Sequence, residues 1–181
     1  MATNPQRYST VAIILHWASA LLMIYMIFWG EGLVRGQPWL NPPVAPTNPA
    51  LHASLGILIL TLAVARLGWR LMNPPPADVP MPAWQTMASH ILHWAFYFLM
   101  IVIPLSGMAE WAKSILGKHP QYADLTFFGL FAIPHFSADW LGSIHGLGVN
   151  IAMVLLFLHV AAALKHQFVD KDRLLMRMVP R

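Results

Sequence analysis

Residues 144–166 read IHGLGVNIAMVLLFLHVAAALKH, with no charged side chain before Lys165 and with two histidines, His145 and His159, inside the apolar run. A membrane-crossing helix needs about 20 consecutive, mostly apolar residues. This run, extended back to Trp140, is predicted to span 140–164. The two histidines are 14 residues apart. On an α-helix 14 residues make just under four turns and about 21 Å of rise, so both rings leave one face, one near each end of the span. An imidazole in hydrocarbon is costly and is by default a functional group with a partner. Two on one face at two depths point to a ligand set below each membrane surface.

Three other stretches have the same character. Between Arg7 and Glu31 there is no Asp, Glu, Lys or Arg, which predicts a span over 10–30. The uncharged run from Arg35 to Arg66 begins Pro-rich (Pro38, Pro42, Pro43, Pro46, Pro49), so the second span is predicted over 50–71. The third, 84–109, follows the breaker Pro74-Pro75-Pro76 and stops before Glu110. Pro104 inside it is tolerable because neighbouring helices can satisfy the freed carbonyl. Residues 110–139 form a long outer loop, whose apolar but interrupted piece 125–136 (LTFFGLFAIPHF) is read as interfacial. The fold class is therefore all-α, an integral membrane four-helix bundle, and residues 1–181 form a single membrane domain.

Composition agrees. The chain is 57% hydrophobic and 10% charged, against about 25% charged in a soluble domain. It contains no cysteine, which excludes disulfides, thiolate-bound zinc, iron–sulfur clusters and covalent c-type haem. The net charge of +4 does not form a nucleic-acid patch, because the basic residues lie beside the apolar spans. The first apolar run follows a short polar lead, is too long for a signal-peptide core and lacks a clear cleavage site, so it is read as a retained span.

Four spans put both termini on one side. The terminal segments and the loop after the second span hold Arg7, Arg66, Arg70, Lys165, Lys171, Arg173, Arg177 and Arg181, against Arg35, Lys113 and Lys118 in the other loops. Eight against three places both termini in the cytoplasm of a bacterial inner membrane. Trp29, Trp39, Trp111 and Trp140 then fall near the outer interface and Trp17, Trp69 and Trp84 near the inner one, with Trp94 deeper and read as packing.

Depth pairs the histidines. His16 lies about two turns into the first span from the inner side, level with His159; His52 lies at the outer start of the second, level with His145. The pairs His16–His159 and His52–His145 are predicted to hold an inner and an outer haem b. Glycines nearby (Gly56, Gly146, Gly148) could admit a flat macrocycle. His90 and His93, one turn apart near the inner surface, could compete for the inner haem, contact its edge, line a quinone pocket or form an interfacial polar pair. Arg66 stands 14 residues after His52, on the haem-facing side at the inner end. With Arg70, Lys165 and His166 it is a candidate for neutralising haem propionates, although Arg70 reads better as an ordinary positive-inside residue. His119 and His135 in the outer loop read as solvated or interfacial.

With these residues in place the chain resembles the prokaryotic cytochrome b561 family over nearly its whole length. The resemblance rests on Y-S-x-x-x-x-x-L-H-W (8–17), L-H-x-S-x-G-I-L-I-L with A-R-L-x-W-R (51–70), A-S-H-I-L-H-W (88–94), I-H-G-L-x-x-N through L-H-V-A-A-A-L-K-H (144–166), and L-L-x-R-M-x-P-R (174–181). It implies a four-helix di-haem b protein with ligands at His16, His52, His145 and His159. It further implies electron exchange between the quinone pool and an outer redox partner. Some members are similar to superoxide oxidases, in which superoxide gives its electron on the outer side and ubiquinone is reduced near the cytoplasm. The outer segments here carry Arg35, Lys113 and Lys118 against Glu31, Glu110, Asp124 and Asp139; by count they do not attract an anion, though placement around a cleft can still steer one.

The leading expectation is a superoxide:ubiquinone oxidoreductase, with quinone protons entering through Lys165, His166 or the His90/His93 pair. The alternative is a haem-bearing anchor that relays electrons between a partner dehydrogenase or larger respiratory complex and the quinone pool. A metal or ion transporter is disfavoured by the near-absence of carboxylates within the spans.

Overall fold

The computed structural model of the chain describes residues 7–35, 48–114, 125–134, 136 and 139–179. His119, His135, Lys118, Trp39 and the prolines from Pro38 to Pro46 lie outside them. Four helices are long and apolar enough to cross a membrane: α1 (Thr10–Arg35), α2 (Pro49–Met72), α3 (Ala83–Ser114) and α5 (Ile144–Lys165), with a short α4 (Asp139–Gly142) before the last. Ile14, Leu21, Phe98, Val154 and Phe157 are all exposed on these helices, as helices solvated by lipid tails require. The protein is a multi-pass membrane bundle.

The helices differ from their predicted spans in instructive ways. Both α1 and α3 run about one turn past the uncharged run, through Glu31 and Glu110. Charge marks where hydrocarbon stops, whereas a helix continues into the interface. The α2 start is fixed locally: Asn48 Oδ1 accepts from the Leu51 amide at 2.9 Å, with Pro49 in the first turn. The predicted fourth span is broken at Ser143, whose hydroxyl donates to the Trp140 carbonyl at 2.7 Å and gives the backbone a local alternative to the helix ladder.

In the bundle α1 packs on α2, α2 on α3 and α3 on α5, while α1 and α5 meet only sparsely. The mid-bundle core comprises Met23, Ile59, Ala63, Leu99, Met100 and Ala152. Close approach of α3 and α5 depends on Gly148, where an added Cβ would come within 2.9 Å of Ile103. Small residues of this kind let membrane helices touch.

Each end of the bundle carries a cap. At one end residues 125–133 form a hairpin, β1 (Thr126–Phe127) paired antiparallel with β2 (Phe131–Ala132). Its turn takes positive φ at Phe128 and Gly129. Leu125 and Ile133 are buried with Trp111 against α1 and α2. The buried Ser54 of α2 ties the hairpin down, accepting from the Phe128 amide at 3.0 Å and donating to the Thr126 carbonyl at 3.3 Å. At the other end the chain's two ends meet: the Arg7 guanidinium donates to the Val179 carbonyl, and the Trp17 indole donates to the Met178 carbonyl at 2.7 Å. These are called the loop end and the terminal end below.

Candidate functional site: two layers of imidazoles

At the loop end His52 of α2 faces His145 of α5 across the bundle, with ring centroids 6.2 Å apart. Each ring is held from behind. His52 Nδ1 lies 2.9 Å from the Gly30 carbonyl of α1, and His145 Nδ1 lies 2.9 Å from the Ile103 carbonyl of α3. A carbonyl only accepts, so both Nδ1 atoms carry the proton and both Nε2 atoms keep a lone pair. That is the tautomer a metal-ligating imidazole needs. Each ring brings its Nδ1–Cε1 edge close to a glycine: a Cβ at Gly107 would stand 3.0 Å from His145, and one at Gly30 would stand 3.4 Å from His52.

At the terminal end the His16 and His159 centroids are 6.3 Å apart. Two imidazoles that each placed a nitrogen about 2 Å from one shared metal on opposite sides would have ring centres roughly 6 Å apart. Both pairs have that separation. His93 of α3 also approaches His159, at 5.7 Å between centroids. Arg66 donates to His16 Nδ1 at 2.9 Å, and its guanidinium lies over the Tyr97 ring. The cavity among these groups is lined by His16, Arg66, His93, Tyr97 and His159 with apolar neighbours and by no carboxylate among the described residues. A half-buried guanidinium facing such a cavity suits an anionic group. The donor set, the spacing of the pairs and this cation together fit haem with its propionates.

A single register generates both layers. On α1 it joins His16 to Gly30, on α2 His52 to Arg66, on α3 His93 to Gly107, and on α5 His145 to His159, each pair 14 residues apart. The same face of every long helix therefore points to the bundle axis at two levels. Gly30 and Gly107 were missed by reading histidines alone. Their signal is the 14-residue offset from His16 and His93. Of the glycines singled out for a macrocycle, Gly148 packs against Ile103 of α3, while a Cβ at Gly56 or Gly146 would meet open space within 4 Å.

The remaining candidates separate. His90 turns away from His93 and pairs with Asp78 at 3.1 Å, with both side chains about half exposed. It borders an open, apolar outer face of α3 that carries the exposed Met87, Ile91, Trp94 and Phe98. Trp94 is exposed there rather than packed inside, with Arg70 lying over its ring. Lys165 pairs with Asp170 at 2.5 Å, and His166 Nδ1 donates to Asp172 at 2.6 Å. Neither joins the cavity's lining.

Comparison with known proteins gives the chain its relatives. Residues 7–181 match the family described as prokaryotic cytochrome b561. A Yersinia pestis protein named probable superoxide oxidase CybB is 32% identical, covering 97% of each chain. Cytochrome b561 homolog 2 of Escherichia coli is 32% identical over 97% of this chain and 93% of its own. Cytochrome b562 of Cereibacter sphaeroides is 28% identical over 98% of both. The four membrane-spanning helices, the imidazole layers between them and this full-length match lead to one conclusion: the chain belongs to the prokaryotic cytochrome b561 family of haem b membrane proteins, oxidoreductases that carry electrons across a membrane.

Proposed function

We propose that this protein is a di-haem b cytochrome of the bacterial inner membrane, working as one membrane unit with both termini in the cytoplasm. It passes electrons from a donor at the loop end, with superoxide favoured, to ubiquinone at the terminal end. The observation that carries the reading is the pair of imidazole separations, 6.2 and 6.3 Å, at two levels of one register. The superoxide assignment is supported by the Yersinia relative, named a probable superoxide oxidase. When bound, each haem iron supplies reversible one-electron chemistry.

His52 and His145 hold the loop-end iron, and His16 and His159 hold the terminal-end iron. His16 is preferred to His93 on packing grounds. Helices α3 and α5 lie directly against each other, while α1 and α5 meet sparsely and leave room for a flat macrocycle. His16 would hold iron through Nε2 with its proton on Nδ1, and Arg66, which faces the same cavity, would pair with a propionate carboxylate. Ubiquinone would approach from the bilayer along the apolar outer face of α3, and the His90–Asp78 pair beside that face can hold and move protons.

The test is stopped-flow mixing of the haem-loaded protein in vesicles with superoxide, with and without ubiquinone. Rapid haem reduction and sustained turnover only with ubiquinone are expected. Two haems without turnover would instead favour the relay subunit. His90→Ala and Asp78→Asn should keep haem content and slow quinone reduction; unchanged turnover in both would remove them from the proton path.

A further inference from the structure

We propose that the C-terminal tail is a strap that closes the terminal end of the bundle and orients the His16 ring through Trp17, which acts as a positioning residue. The proposal rests on the reading of His16 as a haem ligand. After α5 the chain makes a π-helical turn (His166–Asp170) and then reverses, with Lys171 and Arg173 at φ of 55° and 60°. Residues other than glycine keep such conformations only where their surroundings hold them. Here the hold is visible: His166 Nδ1 donates to Asp172 Oδ2 at 2.6 Å, and Asp172 Oδ1 accepts from the Leu174 amide at 3.0 Å. The clasp accounts for His166, which is buried yet turned to the tail rather than the cavity.

From that clasp the tail runs across three other elements. A 3-10 turn (Leu174–Arg177) delivers the buried Arg177, which donates to the Ala77 carbonyl in the connection between α2 and α3 at 2.9 Å and lies over the Tyr8 ring. The Val179 carbonyl accepts from Arg7, and the Met178 carbonyl accepts from Trp17 at 2.7 Å. The Trp17 ring stands edge-on to His16, centroids 5.4 Å apart and planes at 82°. Pinning the indole therefore limits rotation of His16. The first and last motifs of the sequence, Y-S-x-x-x-x-x-L-H-W and L-L-x-R-M-x-P-R, thus meet in one contact set.

Trp17→Phe keeps an aromatic ring and removes the indole N–H. In full-length, haem-loaded protein in nanodiscs it should speed amide exchange of residues 171–179 about fivefold, the factor a lost neutral hydrogen bond gives. It should also shift the g-values of the terminal-end haem in electron paramagnetic resonance and leave the loop-end signal unchanged. Asp172→Asn, which opens the clasp without touching α1, should act in the same direction and serves if the tryptophan variant misfolds. Unchanged exchange and unchanged g-values in either folded variant overturn the strap. His16→Ala is run in parallel: if it keeps both haems, the ligand reading has failed, whereas its loss of one haem beside unaltered Trp17→Phe and Asp172→Asn spectra condemns the strap alone.

Discussion

At the loop end the 14-residue register places Gly30, His52, Gly107 and His145; at the terminal end it places His16, Arg66, His93 and His159. The loop-end layer has two imidazoles, each close to a glycine and each bonded to a backbone carbonyl of a neighbouring helix. None of those four register positions carries a fixed charge, although Glu110 of α3 lies near enough to act electrostatically on His145. The terminal-end layer has a third imidazole and a guanidinium and encloses a cavity. One geometry has therefore been filled in two ways. Backbone acceptors and absent side chains hold a ligand still and fix its tautomer, which is what a simple relay needs. In the proposed reading the extra polar side chains of the terminal-end layer would accommodate an anionic substituent of the cofactor.

The largest expected effect separates the two histidines that approach His159. His16→Ala should lose the terminal-end haem outright while His93→Ala keeps both, read as haem per chain after purification. The reverse result would move the ligand from α1 to α3. Next comes Arg66→Leu, which should leave the loop end untouched and weaken haem retention at the terminal end roughly 10- to 100-fold, as the loss of a hydrogen bond to a charged group implies. Transfer of haem to an apoprotein acceptor measures it, and equal rates at both ends would erase the distinction drawn between the layers.

Smaller effects probe the glycine seats. Gly107→Ala should cost about 1–3 kcal/mol by overpacking against His145. Gly30→Ala should cost less, because its Cβ would stand 3.4 rather than 3.0 Å from the ring. Thermal unfolding followed by haem absorbance orders the two, and a larger loss at Gly30 would contradict the packing described. Smallest is Ser106→Ala. Its hydroxyl donates to the Ile103 carbonyl at 2.9 Å and stands 3.4 Å from His145 Nδ1, so about 0.5–1 kcal/mol or less is expected in the same assay.

Much of this was legible in the sequence because hydrocarbon is an unforgiving solvent. Four uncharged runs and histidines spaced by whole turns follow directly from it, and the offset from His145 to His159 located both layers. The glycine seats were hidden for a physical reason: a glycine bears no side chain to betray its role, and its value lies in what another helix brings to it. The hairpin over residues 125–133 was visible only as an apolar segment, since its anchor is a single hydroxyl on α2. The tail was least legible. Its bonds are largely to backbone carbonyls, its own at Met178 and Val179 and that of Ala77, which every residue possesses. Lys165 and His166 show the same limit of reading from helical phase: in the structure Lys165 pairs with Asp170 of the π-helical turn and His166 with Asp172 beyond it.

The most direct measurement is haem quantitation by pyridine haemochrome on the purified chain and on the double variant His52→Ala/His145→Ala, with low-spin ferric signals counted alongside. Two haems and two signals in the native chain, with one of each left in the variant, are the predicted result. A single haem in the native chain, or two surviving the double substitution, would contradict the two-layer account.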